Sequence, residues 1–157
     1  MKFVLIAILI AVIMIISTSI SVQYKERYNF FNQLKLFFQQ FKLNVSFKQE
    51  KIETFLKSFK AEKQFALFIN SYQNFLKGEE LNLSSIKILE ESEKQELIEA
   101  IKNIGNYNTK SEIEQLDLYI ELANVRLNKA KEAKQRICPL IIKLSLLFAL
   151  ALAILLI

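Results

Sequence analysis

The chain has 157 residues, of which 52% are hydrophobic and 24% charged, and it carries a formal net charge of +5 without any histidine. Two glycines and one proline are too few for a sheet protein with tight turns, so the composition predicts an all-α fold. Lack of histidine removes the usual acid–base catalyst near neutral pH, and no glycine-rich phosphate motif or paired-cysteine metal motif occurs. We therefore predict no enzyme activity, no metal site and no cofactor.

The first predicted element is a membrane-spanning helix at residues 1–22. Residues 3–22 form an uncharged segment that is long enough to cross a hydrocarbon core of roughly 30 Å as a helix. A cleavable signal peptide is the alternative, because Lys2 precedes the apolar run and small residues, Ser19 and Ser21, follow it. Lys25 and Arg27 come next, and positive charge at this place resists translocation.

Residues 23–139 predict an antiparallel helical bundle that begins with two helices rich in phenylalanine. Residues 28–45 have apolar side chains at helical spacing, on a helix continuous with the first span. Residues 53–78 predict a second helix that ends at Gly78. We expect the phenylalanines of both helices to form the core: Phe30, Phe31, Phe37, Phe38, Phe41, Phe55, Phe59, Phe65, Phe68 and Phe75.

A corner separates the third predicted helix from the last one. Residues 92–105 predict a helix that Gly105 ends in a left-handed conformation, and the next helix starts close to Thr109. Two capping boxes fit that start: Thr109 with Glu112, and Ser111 with Glu114. We take Gly105, Asn108 and Thr109 as the residues of the corner.

The last helix of the bundle has two apolar stripes. The longer stripe consists of Ile113, Leu116, Ile120, Ala123, Leu127, Ala130 and Ile137, and the shorter one of Leu118, Leu122 and Val125. A bundle core explains both stripes, whereas a dimerising coiled coil explains only one. We therefore expect this helix to pack on two sides.

Residues 140–157 predict a second transmembrane helix. Residues 144–157 are uncharged, and Lys143 lies close enough to their start to reach the lipid headgroups. Pro139 fits the beginning of this helix, because its missing N–H would be unpaired there in any case. A buried core helix is the alternative for this segment.

Charge is divided unevenly between the two predicted spans. The net charge is +6 for residues 23–77, −7 for residues 78–122 and +4 for residues 123–139. Basic residues beside both spans place the central domain in the cytoplasm by the positive-inside rule. We expect these residues at the membrane interface: Lys25, Arg27, Lys134, Arg136 and Lys143.

The acidic middle segment has two interpretations, a solvated helix face or a docking surface for a basic partner. The candidate docking residues are Glu90, Glu91, Glu93 and Glu96. Nucleic-acid binding fits poorly, because the basic residues flank the predicted spans and form no separate patch.

The order of these segments resembles the stage III sporulation protein AB family. In that family a tyrosine and a Glu-Arg pair follow the first span, as in "QYKERYNFFNQL", and a hydrophobic-Gly-x-x-Asp corner precedes the last helix, as in "LIEAIKNIGNYN". Tyr24, Glu26 and Arg27 match the first motif, and Asn108 stands where the corner usually has Asp.

The resemblance implies a function that composition does not. The family belongs to the membrane complex that joins mother cell and forespore, and its helical domain is similar to the cytoplasmic domains of type II secretion and type IV pilus platform proteins. We therefore expect a scaffold that couples a cytoplasmic secretion ATPase and other channel subunits to the membrane, with the oligomeric state open. The alternatives are an exported helical binding domain with a cleaved signal peptide and a C-terminal tail anchor, and a generic two-span membrane adaptor.

Overall fold

The computed structural model describes residues 2–105 and 109–156, and this part of the chain is helical without any strand. Its elements are α1 (Lys2–Leu43), a π-helical turn (Asn44–Lys48), α2 (Ile52–Ser58), α3 (Lys63–Leu76), α4 (Glu91–Asn103) and α5 (Thr109–Leu156). The predicted all-α fold is confirmed. As expected, the helix after the first apolar segment is continuous with it, since both belong to α1.

The chain forms two compact units, and α1 and α5 contribute to both. The membrane unit consists of Met1–Tyr28 and Lys129–Ile157, and the helical domain consists of Asn29–Asn128. Both long helices contain an apolar segment of sufficient length to cross a membrane, with mean hydropathies of 2.0 and 2.5. These two segments fit a membrane protein.

The core of the helical domain is built around the ring of Phe37, which is fully buried. Its centroid lies 5.5–6.4 Å from those of Phe38, Phe41, Phe55, Phe59, Phe65, Phe68 and Tyr72. Tilted and edge-to-face arrangements at such distances are favourable beyond the burial of apolar area. The predicted phenylalanine core is therefore confirmed, although Phe59 and Phe75 are only half-buried.

The helix predicted over residues 53–78 is interrupted, which corrects the sequence prediction. α2 ends at Ser58, Phe59 has an extended backbone, and α3 begins only at Lys63. In one unbroken helix, Phe55 and Phe68 would point about 140° apart, because each residue turns the helix by about 100°. The interruption allows both rings to contact Phe37.

Both glycines end helices, as their positions in the sequence predict. Gly78 has a φ of +97° and follows α3, and Gly105 has a φ of +86° and follows α4. At the first site the N–H of Gly78 donates to the carbonyl of Phe75, and the N–H of Glu79 donates to that of Asn74. This hydrogen-bond pair is the Schellman motif, which satisfies the last carbonyls of a helix.

Two predictions for α5 are corrected by the structure. Pro139 lies inside this helix and does not begin a new one. Proline lacks its backbone N–H, so one hydrogen bond of the helix is missing at this place while the turns on both sides remain helical. The stripe of Leu118, Leu122 and Val125 is exposed, because the domain packs on the opposite stripe of the helix, where Leu116 and Ala123 are buried.

Candidate docking site on the acidic helix

The described acidic residues of the segment from Gly78 to Leu122 fall into an exposed set and a set engaged inside the helical domain. The exposed carboxylates belong to Glu79, Glu80, Glu90, Glu91, Glu99, Glu114, Asp117 and Glu121. Glu93, Glu96 and Glu112 are buried or half-buried. The acidic segment therefore contains carboxylates in two different environments, one at the surface and one inside the domain.

The side chain of Glu93 stabilises the start of α4. Glu90 is the N-cap residue of this helix, and Glu93 is its third residue. The Oε2 atom of Glu93 accepts a hydrogen bond of 3.0 Å from the N–H of Glu90, which would otherwise have no partner within the helix. The Glu93 side chain is only 2% exposed, so the cap is sealed from solvent.

Arg126 of α5 joins both engaged carboxylates of α4. Its Nη2 atom lies 2.7 Å from Oε1 and 2.8 Å from Oε2 of Glu96, and its Nη1 atom lies 3.5 Å from Oε1 of Glu93. The guanidinium group offers several N–H donors in a fixed plane, which suits two neighbouring carboxylates. This cluster attaches α4 to α5 and offsets the buried charge of Glu93.

These contacts correct the list of predicted docking residues. Glu93 is buried and engaged with Arg126, so its carboxylate is not presented to a partner. Glu96 is half-exposed and already holds Arg126. Glu90 and Glu91 remain on the surface, and Glu91 forms a 2.7 Å ion pair with Lys94.

Sequence reasoning missed the role of Arg126, which belongs to the basic segment of residues 123–139. Glu93 and Glu96 are three positions apart, a spacing that places them on one face of a helix. The cation that faces them comes from 30 residues further along the chain. No local pattern could indicate this pairing.

The corner between α4 and α5 is closed by a buried carboxylate. The Oε1 atom of Glu112 accepts a hydrogen bond of 3.1 Å from the N–H of Gly105. Glu112 is 5% exposed, and it lies near Tyr72, whose pKa is raised by burial and further by the charge of this carboxylate. Glu112 therefore links the start of α5 back to the residue that ends α4.

The start of α5 bears on both predicted capping boxes. α5 begins at Thr109, so Thr109 and Ser111 both lie within its first turn and neither occupies the N-cap position that its predicted box requires. Glu112 does stabilise the corner, but its described bond goes to Gly105. Asn108, the third predicted corner residue, lies outside the described residues.

The two apolar helical segments pack against each other within the membrane unit. The Oγ atoms of Ser145 and Ser17 are 3.1 Å apart, and the Sγ atom of Cys138 lies 3.7 Å from the carbonyl oxygen of Ser21. All four residues are buried. Small and weakly polar side chains at such contacts let two helices approach closely.

The residues predicted at the membrane interface also lie in the membrane unit. The Nζ atom of Lys134 stands 4.2 Å from the centre of the Tyr28 ring, a cation–π geometry. Arg27 is half-buried, whereas Lys25, Arg136 and Lys143 are exposed. Their position at a lipid headgroup layer stays a prediction.

Comparison with known families resolves the class of protein. A family model for stage III sporulation protein AB matches residues 2–157. The chain belongs to the stage III sporulation protein AB family. No curated protein and no solved structure matched the chain.

Membership in the stage III sporulation protein AB family implies a role in sporulation. The resemblance found in the sequence is therefore confirmed over essentially the whole chain. The family match covers both apolar helical segments as well as the helical domain. It assigns no role to any individual residue.

Proposed function

We propose that the chain is a non-enzymatic scaffold of the sporulation membrane complex between mother cell and forespore. Its helical domain lies on the cytoplasmic side and couples a secretion-type ATPase to the membrane and to other channel subunits. The family match supports the sporulation role. The basic residues that follow the first apolar segment and precede the second support the cytoplasmic side, because positive charge favours that side of the membrane.

The proposed docking surface is the acidic surface formed by Glu79, Glu80, Glu90, Glu91 and Glu99. The observation that supports it is that α4 is held in place by other carboxylates, those of Glu93 and Glu96 through Arg126. Glu91 and Glu99 are thus presented on a helix that is already positioned, and Glu79, Glu80 and Glu90 precede this helix in the chain. Such a surface attracts a basic partner, and exposed charges at a rim mainly accelerate encounter and favour the correct partner.

A charge-reversal experiment tests this surface in the purified full chain. Glu91→Lys with Glu99→Lys leaves the Arg126 cluster intact and should weaken binding of the sporulating cell's secretion-type ATPase about tenfold or more at low salt. Glu50→Lys with Glu53→Lys makes the same change in net charge on an exposed segment elsewhere in the domain and serves as the control. Equal binding by the two double variants would refute the docking surface.

Sidedness is tested with a cysteine at Ser92, which is exposed on α4. The native Cys138 is buried and is replaced by serine so that only the new thiol reacts. A membrane-impermeant maleimide should label this position only after cells are permeabilised. Labelling of intact cells would place the domain outside and support an exported binding domain instead.

A further inference from the structure

The exposed stripe of α5, formed by Leu118, Leu122 and Val125, is not used by the fold. These residues are 59%, 41% and 45% exposed, respectively. Spacings of four and three residues align them on one face of the helix. The opposite stripe, which includes Leu116, Ala123 and Leu127, is buried in the domain, so α5 carries one packed and one unpacked apolar face.

Most charged residues beside the exposed stripe are acidic, although the exposed Lys129 lies one turn beyond Val125. Between Lys110 and Arg126, α5 contains four acidic residues and no basic one. Glu114 and Glu121 are exposed beside the stripe, while Glu112 is buried and Asp117 pairs with Lys42. Two acidic residues of this helix thus remain at one edge of the apolar face.

The other edge of the stripe meets α4. Leu122 lines a shallow depression together with Glu93, Glu96 and Arg126. Arg126 is already paired with both glutamates, so it adds no free positive charge to this edge. Glu96 is 41% exposed and contributes part of its carboxylate to the rim. The apolar face is therefore bordered by carboxylates on both sides.

We propose that the stripe of Leu118, Leu122 and Val125 binds an amphipathic helix whose apolar face is flanked by lysine or arginine. Helices bind apolar surfaces through anchors at positions i, i+3, i+4 and i+7, and the spacing of the stripe matches such anchors. Basic side chains beside the anchors would meet Glu114 and Glu121. This surface is separate from the α4 docking surface, and the inference holds whether or not the ATPase binds there.

The charges favour this occupant over a second copy of the chain. Two copies that packed stripe against stripe would bring their acidic edges together, and like charges at a contact oppose association. A basic amphipathic helix would instead neutralise the same carboxylates. Self-association through this face is thus an outcome that would contradict the proposal.

Binding is measured with the full chain in nanodiscs of neutral phosphatidylcholine. The probe is a synthetic helical peptide with leucine at positions i, i+3, i+4 and i+7 and lysine at the other positions. A peptide of the same pattern with glutamate in place of lysine is the first control, and empty nanodiscs correct for binding to lipid. We expect the lysine peptide to bind the chain at least about tenfold more tightly than the glutamate peptide.

Three pairs of substitutions assign the binding to the stripe. Leu118→Gln with Val125→Gln should weaken the Kd of the lysine peptide about tenfold or more, because the anchors contribute most of the affinity. Leu36→Gln with Leu43→Gln changes two exposed leucines of α1 and should leave the Kd within about twofold. Glu114→Gln with Glu121→Gln should weaken binding about threefold at low salt. Salt at about 0.5 M should remove this difference, because it screens the attraction between exposed charges.

Several results would overturn the proposal. The stripe is not a docking site if the Leu118→Gln, Val125→Gln variant and the Leu36→Gln, Leu43→Gln variant have equal Kd values, or if the glutamate peptide binds as tightly as the lysine peptide. Loss of a wild-type dimer in the Leu118→Gln, Val125→Gln variant would assign the face to a second copy. The two proposals are tested separately, because peptide binding is measured on the α5 stripe and ATPase binding on the acidic docking surface. Failure of one measurement therefore leaves the other proposal standing.

Discussion

Replacement of Arg126 by methionine tests whether the α4–α5 ion cluster stabilises the domain. Methionine keeps the length of the apolar stem and removes the charge, which leaves the carboxylate of Glu93 buried without its cation. Breaking a fully buried ion pair costs about 3–5 kcal/mol. The Arg126 side chain is 23% exposed and its Nη1 contact with Glu93 is 3.5 Å, so water offsets part of that cost and we expect about 2 kcal/mol.

A double-mutant cycle separates the two partners of Arg126. In a Glu93→Gln background no buried charge is left uncompensated, and only the half-exposed pair with Glu96 is lost. The same Arg126→Met change should then cost about 0.5 kcal/mol. The difference gives a coupling energy of about 1.5 kcal/mol between Glu93 and Arg126.

The assay is thermal unfolding of the full chain in mild detergent, followed by circular dichroism. A loss of 2 kcal/mol in a domain of this size corresponds to a decrease in Tm of roughly 8–16 °C. Equal losses for Arg126→Met in both backgrounds would show that Glu93 and Arg126 are not coupled. The cluster would then be a surface contact, and the account of how α4 is positioned would be wrong.

Three further predictions follow from the core, the corner and the membrane unit. In the same unfolding assay, Phe37→Ala should destabilise the helical domain by about 3–5 kcal/mol, because it empties the centre of the core. Phe47 is 81% exposed, so Phe47→Ala is the control and should change the free energy of unfolding by less than about 0.5 kcal/mol. The pKa of Tyr72 is raised in the folded chain from its ordinary value of 10.0. Tyr72 should therefore leave the free energy of unfolding unchanged below pH 10 and lower it above pH 10, where the tyrosine ionises only in the unfolded chain. Tyr72→Phe should remove that part of the pH dependence. With the native cysteine replaced by serine, cysteines introduced by Ser17→Cys and Ser145→Cys should form a disulfide on mild oxidation. The disulfide should appear as a mobility shift that reductant reverses. Absence of this crosslink would contradict the packing of the two apolar helices.

Several features were predictable because they depend on local sequence. Gly78 and Gly105 end helices through their freedom at positive φ, and the apolar period of residues 28–45 continues the first helix. Short motifs after the first span and at the corner also sufficed to suggest the family that the comparison established. Local pattern failed at the break before Lys63, because that region has no glycine or proline and its conformation depends on rings that meet at Phe37.

The candidate docking site was also predictable only in part. Charge along the chain predicted an acidic segment, and Glu90 and Glu91 do lie on the surface. That Glu93 is buried depends on α5 supplying Arg126 from 30 residues away, which no helical period encodes. The same holds for the second stripe of α5, since an apolar periodicity indicates a face but not whether another helix covers it.

The sequence by itself determined the all-α class, the two apolar segments, the helix ends at glycine and the family, because composition, length and local backbone preference act within a few turns of the chain. Only the tertiary structure decided which carboxylates hold the domain together, which remain for a partner, and which stripe of α5 is left exposed. These outcomes depend on contacts between residues far apart in the chain, and burial changes the energetic role of a charge or an apolar side chain without changing its identity.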